Sequence, residues 1–380
     1  MDETVSIVSD QFGAVSAGTE WIPRLPHRVR GGICTVVRFQ IMFKKKETYT
    51  VAVIGATGLI GHEVVALLEE RNFPVRELVP LASERSAGER IEFLGRNVIV
   101  KQLTKETARG ADISFFCAGK AQSFAFAPIA VSDGSVVIDN SSAFRDDPVV
   151  PLAVPGVNHR TIAEHTGIIA SPSSTTIGLA HILKPLHDAL KIKRVVVTTF
   201  QSVSGSGTRA IDELAQQTVS LLNFRDVKKS VYPHQIAFNC IPHDGEFMDS
   251  GETTEEKSLE YETRRVLGDN TIHMTTTSVR VPVFRCYAGS VNIEVEKKMS
   301  VDEIRAILAS SPNIIVYDDP LRNLYPTAID VAGKDDIYVG RIRQDRSLPT
   351  GINLWFTLDN VRTGAALNAL RIAEHLIAEI

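Results

Sequence analysis

The segment Gly55-Ala56-Thr57-Gly58-Leu59-Ile60-Gly61 joins a β-branched apolar run, Tyr49 to Ile54, to a stretch of helical periodicity with Gly61, Val64, Val65 and Leu68 on one face. Strand, glycine turn and helix in that order suit a dinucleotide. The glycines permit the tight turn and let backbone N–H groups approach a pyrophosphate at the helix N-terminus. The spacing is G-x-x-G-x-x-G, and taken alone it also fits a plain tight connection. A second group, Ser83-Glu84-Arg85-Ser86, follows the next apolar run. An acid here would bind the free ribose hydroxyls of NAD, whereas Arg and hydroxyl groups accept the additional phosphate of NADP; Glu84 blurs that rule. A third group, Ala170-Ser171-Pro172-Ser173-Ser174-Thr175-Thr176, offers Ser174 as a nucleophile. A serine needs an adjacent base, and no Gly-x-Ser-x-Gly elbow surrounds this one, so a serine hydrolase ranks last among the readings.

The elements that must position these groups can be read from periodicity. Further parallel-type strands are expected at Leu78–Ala82, Ile113–Cys117, Val136–Asp139 and Ile168–Ala170, with helical stretches between most of them, which predicts an α/β, Rossmann-type doubly wound sheet. From about Pro185 the texture changes to longer strands: Arg194–Phe200, Thr275–Val281, Ser290–Glu296, Ile337–Arg343 and Ile352–Leu358. Val291, Ile293 and Val295 alternate with Asn292, Glu294 and Glu296, which suits an antiparallel sheet with one solvated face. The chain should therefore comprise a dinucleotide-binding domain over 49–175 and a second, α+β domain over 176–359. A closing helix over 360–380, with Leu367, Leu370, Ala373, Ile377 and Ile380 on one stripe, should pack back on the first domain.

Bulk properties agree. At 380 residues the chain is too long for one ordinary core. A formal charge of −4 disfavours nucleic acid as partner. No apolar run reaches the ~18 residues that span a membrane. Four cysteines, Cys34, Cys117, Cys240 and Cys286, lie far apart without metal-type spacing, which points to free thiols, a cytoplasmic setting and no metal site. Residues 1–48 mix Ser, Gly and Arg with little periodicity and read as an extension outside the fold, with Met42 a natural start.

Several separate motifs resemble those of the aspartate-semialdehyde dehydrogenase family: Val53-Ile54-Gly55-Ala56-Thr57-Gly58, Leu81-Ala82-Ser83-Glu84-Arg85-Ser86-Ala87-Gly88 and Asp139-Asn140-Ser141-Ser142-Ala143-Phe144-Arg145. To these are added Leu183-Lys184-Pro185-Leu186-His187, Arg280-Val281-Pro282-Val283-Phe284-Arg285, and Asp359-Asn360-Val361-Arg362 followed by Gly364-Ala365-Ala366-Leu367-Asn368. The similarity runs from about residue 49 to 380. It implies NADP as cofactor, held by Gly55, Thr57, Gly58, Leu59 and Ile60, by Ser83, Arg85 and Ser86 at the 2′-phosphate, and by Ser204, Gly205 and Asn360. It implies a small-molecule substrate of the aspartyl phosphate type and a homodimer or homotetramer formed through the second domain. Arg145 matches the family arginine for the acyl phosphate, Arg280 the one for the substrate carboxylate, Gln201 the glutamine beside the nucleophile, and Glu255 the acid of a Glu-x-x-Lys pair. Planar guanidinium groups recognise both anions in bidentate fashion.

The family reaction so implied is NADPH-dependent reductive dephosphorylation of L-aspartyl 4-phosphate to L-aspartate 4-semialdehyde, through a thioester on cysteine. This chain departs from the pattern at matching positions: Ser174 replaces the cysteine, Tyr287 the basic histidine, and Ser258 the phosphate-binding lysine, with Lys257 able to stand in if the register slips. A thiol with a pKa near 8.5 is already partly thiolate at neutral pH, whereas a serine is not, and Tyr, near 10, is no imidazole. A general base contributes on the order of 10²–10⁴ in rate. Replacement groups come down to Cys117, Cys286 and His181. The expectation is a family reaction that is weak or lost; the alternative is a non-catalytic NADP-binding paralogue that regulates or pairs with an active enzyme.

Overall fold

The computed structural model describes residues 45–378, so the expectations for residues 1–44, Met42 among them, and for Ile380 fall outside the described residues. In chain order the first half comprises β1 (Tyr49–Ile54), α1 (Leu59–Glu70), β2 (Val75–Ala82), a hairpin of β3 (Arg90–Phe93) and β4 (Arg96–Ile99), then β5 (Lys101–Gln102), β6 (Ile113–Phe116), α2 (Lys120–Ser132), β7 (Val136–Asp139) and β8 (Ile168–Ala170). Apart from the hairpin, these strands form one all-parallel sheet in the order β5-β2-β1-β6-β7-β8. A parallel sheet must be covered on both faces, which is why β1, β6 and β7 are buried from end to end. Along β1, Val51 and Val53 enter the layer shared with α1, while Ala52 and Ile54 enter the layer shared with Ala127 and Ala130 of α2.

The second half begins with α3 (Ser174–Leu190), the helix that leaves β8 through the serine-rich loop. Ser173 caps it, its hydroxyl accepting from the Thr176 N–H. Ile177 and Ala180 of α3 join the first sheet's core, whereas Leu179, Ile182, Leu183, Leu186 and Leu190 join the second. There follow β9 (Ile192–Gln201), α4 (Thr208–Leu222), α5 (Thr254–Leu267), β10 (His273–Arg280), β11 (Tyr287–Val295), α6 (Val301–Ala309), β12 (Ile314–Val316), α7 (Ala328–Val331), β13 (Ile337–Gln344) and β14 (Gly351–Leu358). The sheet runs β10-β9-β11-β14-β13-β12. It is mixed, and this corrects the antiparallel expectation. The four central strands are antiparallel, but β10 lies parallel to β9 and β12 parallel to β13. The connections explain it: α4 and α5 lie between β9 and β10, and α7 between β12 and β13, and parallel neighbours need such crossovers.

One face of this sheet packs on α3, α5 and α6. The other lines an open groove of about 510 Å³ with Phe200, Ala288 and Trp355, beside Tyr325. The last helix, α8 (Leu367–Ala378), returns to the first sheet, where Leu367, Leu370, Ala373 and Leu376 share a core with α1. It is entered through a wide π-type turn over Arg362–Ala366. Arg362 in that turn pairs with Glu63 and Glu70 of α1 and with Asp335, which ties the two halves together. Among the described residues no helix is long and apolar enough to cross a membrane.

Candidate active site

A cleft of about 390 Å³ opens at the C-terminal ends of β1, β2 and β6, lined by Gly55, Thr57, Gly58, Ser83, Cys117 and Gln122, among others. Its floor is a cradle that side chains would fill. Gly55 has φ +84°, and a Cβ on it would lie 2.9 Å from the Cys117 main chain; one on Gly61 would lie 2.1 Å from the Gly55 carbonyl oxygen. No side chain caps the start of α1 and no acid sits in its first turn, so its N–H groups face the cleft uncontested. This fits the pyrophosphate of a dinucleotide, with Leu59 and Ile60 half-buried beside it. Ser83 and Arg85 stand exposed after β2, free to meet a phosphate, while Ser86 is turned inward and buried.

The groups matched to catalysis converge at the end of the second sheet nearest this cleft. Gln201 ends β9, Arg280 ends β10 and Tyr287 starts β11, and the register sets Gln201 directly beside both. Asn360 stands two residues beyond the end of β14, the strand next to β11, whose Leu358 pairs with Tyr287. Its side-chain Oδ1 accepts from the Cys286 N–H and from the Ser202 and Ser204 hydroxyls. Gly205, exposed, follows in the same loop; a Cβ there would fall 1.7 Å from the Tyr287 hydroxyl. Ser174 comes in from the other domain at the first turn of α3, and its hydroxyl donates to the Asn360 main-chain carbonyl at 2.9 Å. Gly364 is a glycine for the same reason, because a Cβ on it would press within 2.6 Å of Ser174 Cβ.

Arg145 follows a turn held by buried Asp139, which accepts from Ser123 and Ser141. Its Nε donates to the Ser171 carbonyl, its Nη2 to the Asn140 carbonyl, and its Nη1 lies 3.5 Å from Glu262. Arg280 is 2 % exposed and bonds to the Ser202 carbonyl, the Tyr287 hydroxyl and Asp244. Half-buried Glu255 is among these groups: burial, then Asp244 and Glu262, push its carboxyl up to about 7 against the pull of Arg145 and Arg280. Tyr287 is pushed up to about 12, chiefly by burial.

Lys257 is not brought here. It is exposed and lies about 200° round α5 from Glu255 at ~100° per residue. The capping box of Thr253 and Glu256 fixes the helix start, so no slip of register turns Lys257 inward; half-buried Ser258 is closer to the Glu255 face. The three candidate replacements are also set aside. His181 is buried two turns into α3 against Gly156, and burial lowers it to about 3. The Cys286 thiol donates to the Ala328 carbonyl, and burial raises both it and Cys117 to about 12.

Two site residues were missed from the sequence. Glu262, 1 % exposed, accepts from the Ser173 N–H and the Thr176 hydroxyl and so fixes the loop that carries Ser174. Its spacing of seven from Glu255, two turns along one helix face, was the available signal. Asp244 sits on an irregular loop and offered none.

A doubly wound sheet with a dinucleotide cradle and Arg145 beyond β7, facing a second domain that supplies Arg280 and Gln201, defines a two-domain dinucleotide-binding dehydrogenase. Comparison with known proteins is more specific. Residues 50–165 match the family profile described as "Semialdehyde dehydrogenase, NAD binding domain", and residues 183–363 match "Semialdehyde dehydrogenase, dimerisation domain". The aspartate-semialdehyde dehydrogenase of Aquifex aeolicus is 47% identical over 335 residues, covering 87% of this chain and 98% of that protein. That of Legionella pneumophila is 46% identical over 332 residues, covering 87% and 96%. The crystal structure of aspartate semialdehyde dehydrogenase II from Vibrio cholerae matches with a TM-score of 0.84 at 43% identity, over 87% of this chain and 99% of that one. The chain belongs to the aspartate-semialdehyde dehydrogenase family.

Proposed function

We propose that this chain binds NADP in the cleft above β1 and β2, assembles through its second domain, and has lost nearly all of the family's covalent turnover of L-aspartyl 4-phosphate to L-aspartate 4-semialdehyde. One observation carries the reading. Among the described residues the Ser174 hydroxyl has the Asn360 carbonyl as its partner, which orients the proton but cannot accept it. The phenol standing for the base is itself engaged by Arg280 and held far from neutral pH. A nucleophile without a thiolate and without a base has no route to attack at neutral pH.

The cofactor apparatus supports the first half of the proposal. Gly55, Thr57, Gly58, Leu59 and Ile60 would hold the pyrophosphate, exposed Ser83 and Arg85 the 2′-phosphate with buried Ser86 bracing their turn, and Ser204, Gly205 and Asn360 the nicotinamide half; when bound, the nicotinamide supplies or accepts a hydride. Arg145, with Glu262 only loosely on its Nη1, is the group best placed to hold a ligand anion, and Gln201 and Glu255 would flank the reacting carbon.

One observation favours a role as a non-catalytic partner, in a homodimer or beside an active relative: an apolar groove of Phe200, Ala288 and Trp355 lies on the open face of the second sheet, while the first sheet keeps its cofactor cradle. The deciding experiment is NADPH oxidation by the purified protein with aspartyl phosphate, run beside a titration of NADPH itself. Tight NADPH binding with no oxidation is expected. Steady oxidation at the rate of the active relatives would overturn the proposal.

A further inference from the structure

Arg280 already has a carboxylate. Its Nη2 meets Asp244 Oδ1 at 2.5 Å, its Nη1 donates to the Ser202 carbonyl at 2.7 Å and to the Tyr287 hydroxyl at 3.3 Å, and the guanidinium is nearly sealed from solvent. Every terminal nitrogen of the fork is engaged by the protein itself.

The contact is built into the backbone. Ile241 and Arg280 exchange main-chain hydrogen bonds at 2.9 and 2.8 Å, which clamps the start of the Asp244 loop onto β10. The loop then turns at Gly245, φ +85°, where a Cβ would lie 2.5 Å from Thr254 Oγ1 and 3.1 Å from the Glu255 N–H. A side chain at that turn would be strained and press on α5, and the turn comes directly after Asp244, whose carboxylate meets the guanidinium. A desolvated Arg–carboxylate pair is held by charge-assisted bonds, and a ligand carboxylate must displace one to take its place.

We infer that Asp244 is an internal ligand that occupies the carboxylate seat of Arg280, so that the cleft excludes ligands recognised by a carboxylate there and reads a single anion through Arg145. This inference rests on reading the cleft as the substrate site. The ligand class it defines is an acyl compound with one anionic group and no second carboxylate.

The test separates the two ideas. Asp244→Ala should lower the thermal midpoint by several degrees, and acetate should restore it saturably by entering the vacated seat; neither wild type nor Asp244→Ala with Arg280→Met should respond. Acetate that stabilises all three alike, or none, would overturn the inference. In parallel, L-aspartate is titrated into NADP-saturated wild type and Asp244→Asn, which keeps the shape of the side chain should the alanine variant fail to fold. A gain of about tenfold or more in the Asn variant, ~1.4 kcal/mol, supports the inference, and equal measurable affinity counts against it. Acetate rescue with no aspartate binding to any variant would leave Asp244 as the internal ligand and sink the substrate reading instead.

Discussion

The Ser174 hydroxyl donates to the main-chain carbonyl of Asn360 at 2.9 Å, a bond that crosses from the first turn of α3 to the end of the second sheet. The side chain of the same Asn360 gathers the loop of Ser202 and Ser204 and the N–H of Cys286. Asn360 therefore sets where the nucleophile position, the cofactor loop and the base position stand relative to one another. The frame of an active site is intact even though its reactive members have changed.

Cofactor preference follows from Arg85. It is exposed at the mouth of the cleft with no protein partner among the described residues, so a 2′-phosphate would gain a charge-assisted contact worth about 1.5–3 kcal/mol. NADPH should bind at least about tenfold more tightly than NADH, and Arg85→Ala should remove most of the difference. Fluorescence titration of both cofactors checks it, and equal affinities in wild type would refute the assignment.

Glu255 gives the fold a pH dependence whose sign can be worked out. Its carboxyl is raised from 4.5 to about 7 in the folded protein, by burial first and then by Asp244 and Glu262. Across that window the folded state holds a proton that the unfolded chain has released. This group therefore lowers stability as pH rises, by at most about 1.4 kcal/mol per pH unit, and the loss levels off above the upper value. Glu255→Gln should remove that slope and melt higher than wild type above pH 7. Thermal midpoints of the two proteins that stay parallel across the window would show that the carboxyl is not raised.

Much of this was legible in the sequence, and the limits have physical causes. β1, β7 and β8 match their apolar runs because a strand covered on both faces is marked by continuous β-branched and apolar residues. The mixed order of the second sheet was not legible, because alternation in β11 reports which face is buried and says nothing about the direction of its neighbours. Gln201, Arg280 and Tyr287 are far apart in sequence and become adjacent only through strand register. Asp244 and Glu262 escaped notice because an isolated carboxylate in a polar stretch reads as a solvated residue until its partner is located.

Glu262 should be the costliest single loss in the site. It is buried, accepts from the Ser173 N–H at 2.7 Å and the Thr176 hydroxyl at 2.9 Å, and faces Arg145. Glu262→Ala leaves the buried Ser173 N–H without its acceptor and removes the carboxylate facing Arg145, which costs about 3–5 kcal/mol. Glu262→Gln should cost less, since the amide oxygen can still accept. Denaturant unfolding measures both, and an alanine variant as stable as wild type would show that the loop does not depend on this carboxylate.

Restoring chemistry needs more than one change. Ser174→Cys places a thiol at the first turn of α3, where the helix N-terminus favours a thiolate, so in an Asp244→Asn background, which frees the Arg280 seat, it should show slow acylation by aspartyl phosphate. Tyr287→His alone should give almost nothing, because the serine hydroxyl is still far too weakly acidic. The tyrosine also fills the space against Gly205 and accepts from Arg280, so an imidazole there leaves a gap and leaves Arg280 Nη1 with the Ser202 carbonyl alone. The double variant should exceed the product of the two single effects, since nucleophile and base act as a unit. A base contributes on the order of 10²–10⁴ in rate, which is the size of the synergy to look for. Phosphate binding should improve again with Ser258→Lys, closer to the face of α5 that carries Glu255, whereas Lys257→Ala should change nothing because its side chain points to solvent. Burst kinetics of NADPH oxidation with each variant measure these effects. A wild-type burst as large as that of Ser174→Cys would mean that another group in the cleft already forms the acyl-enzyme.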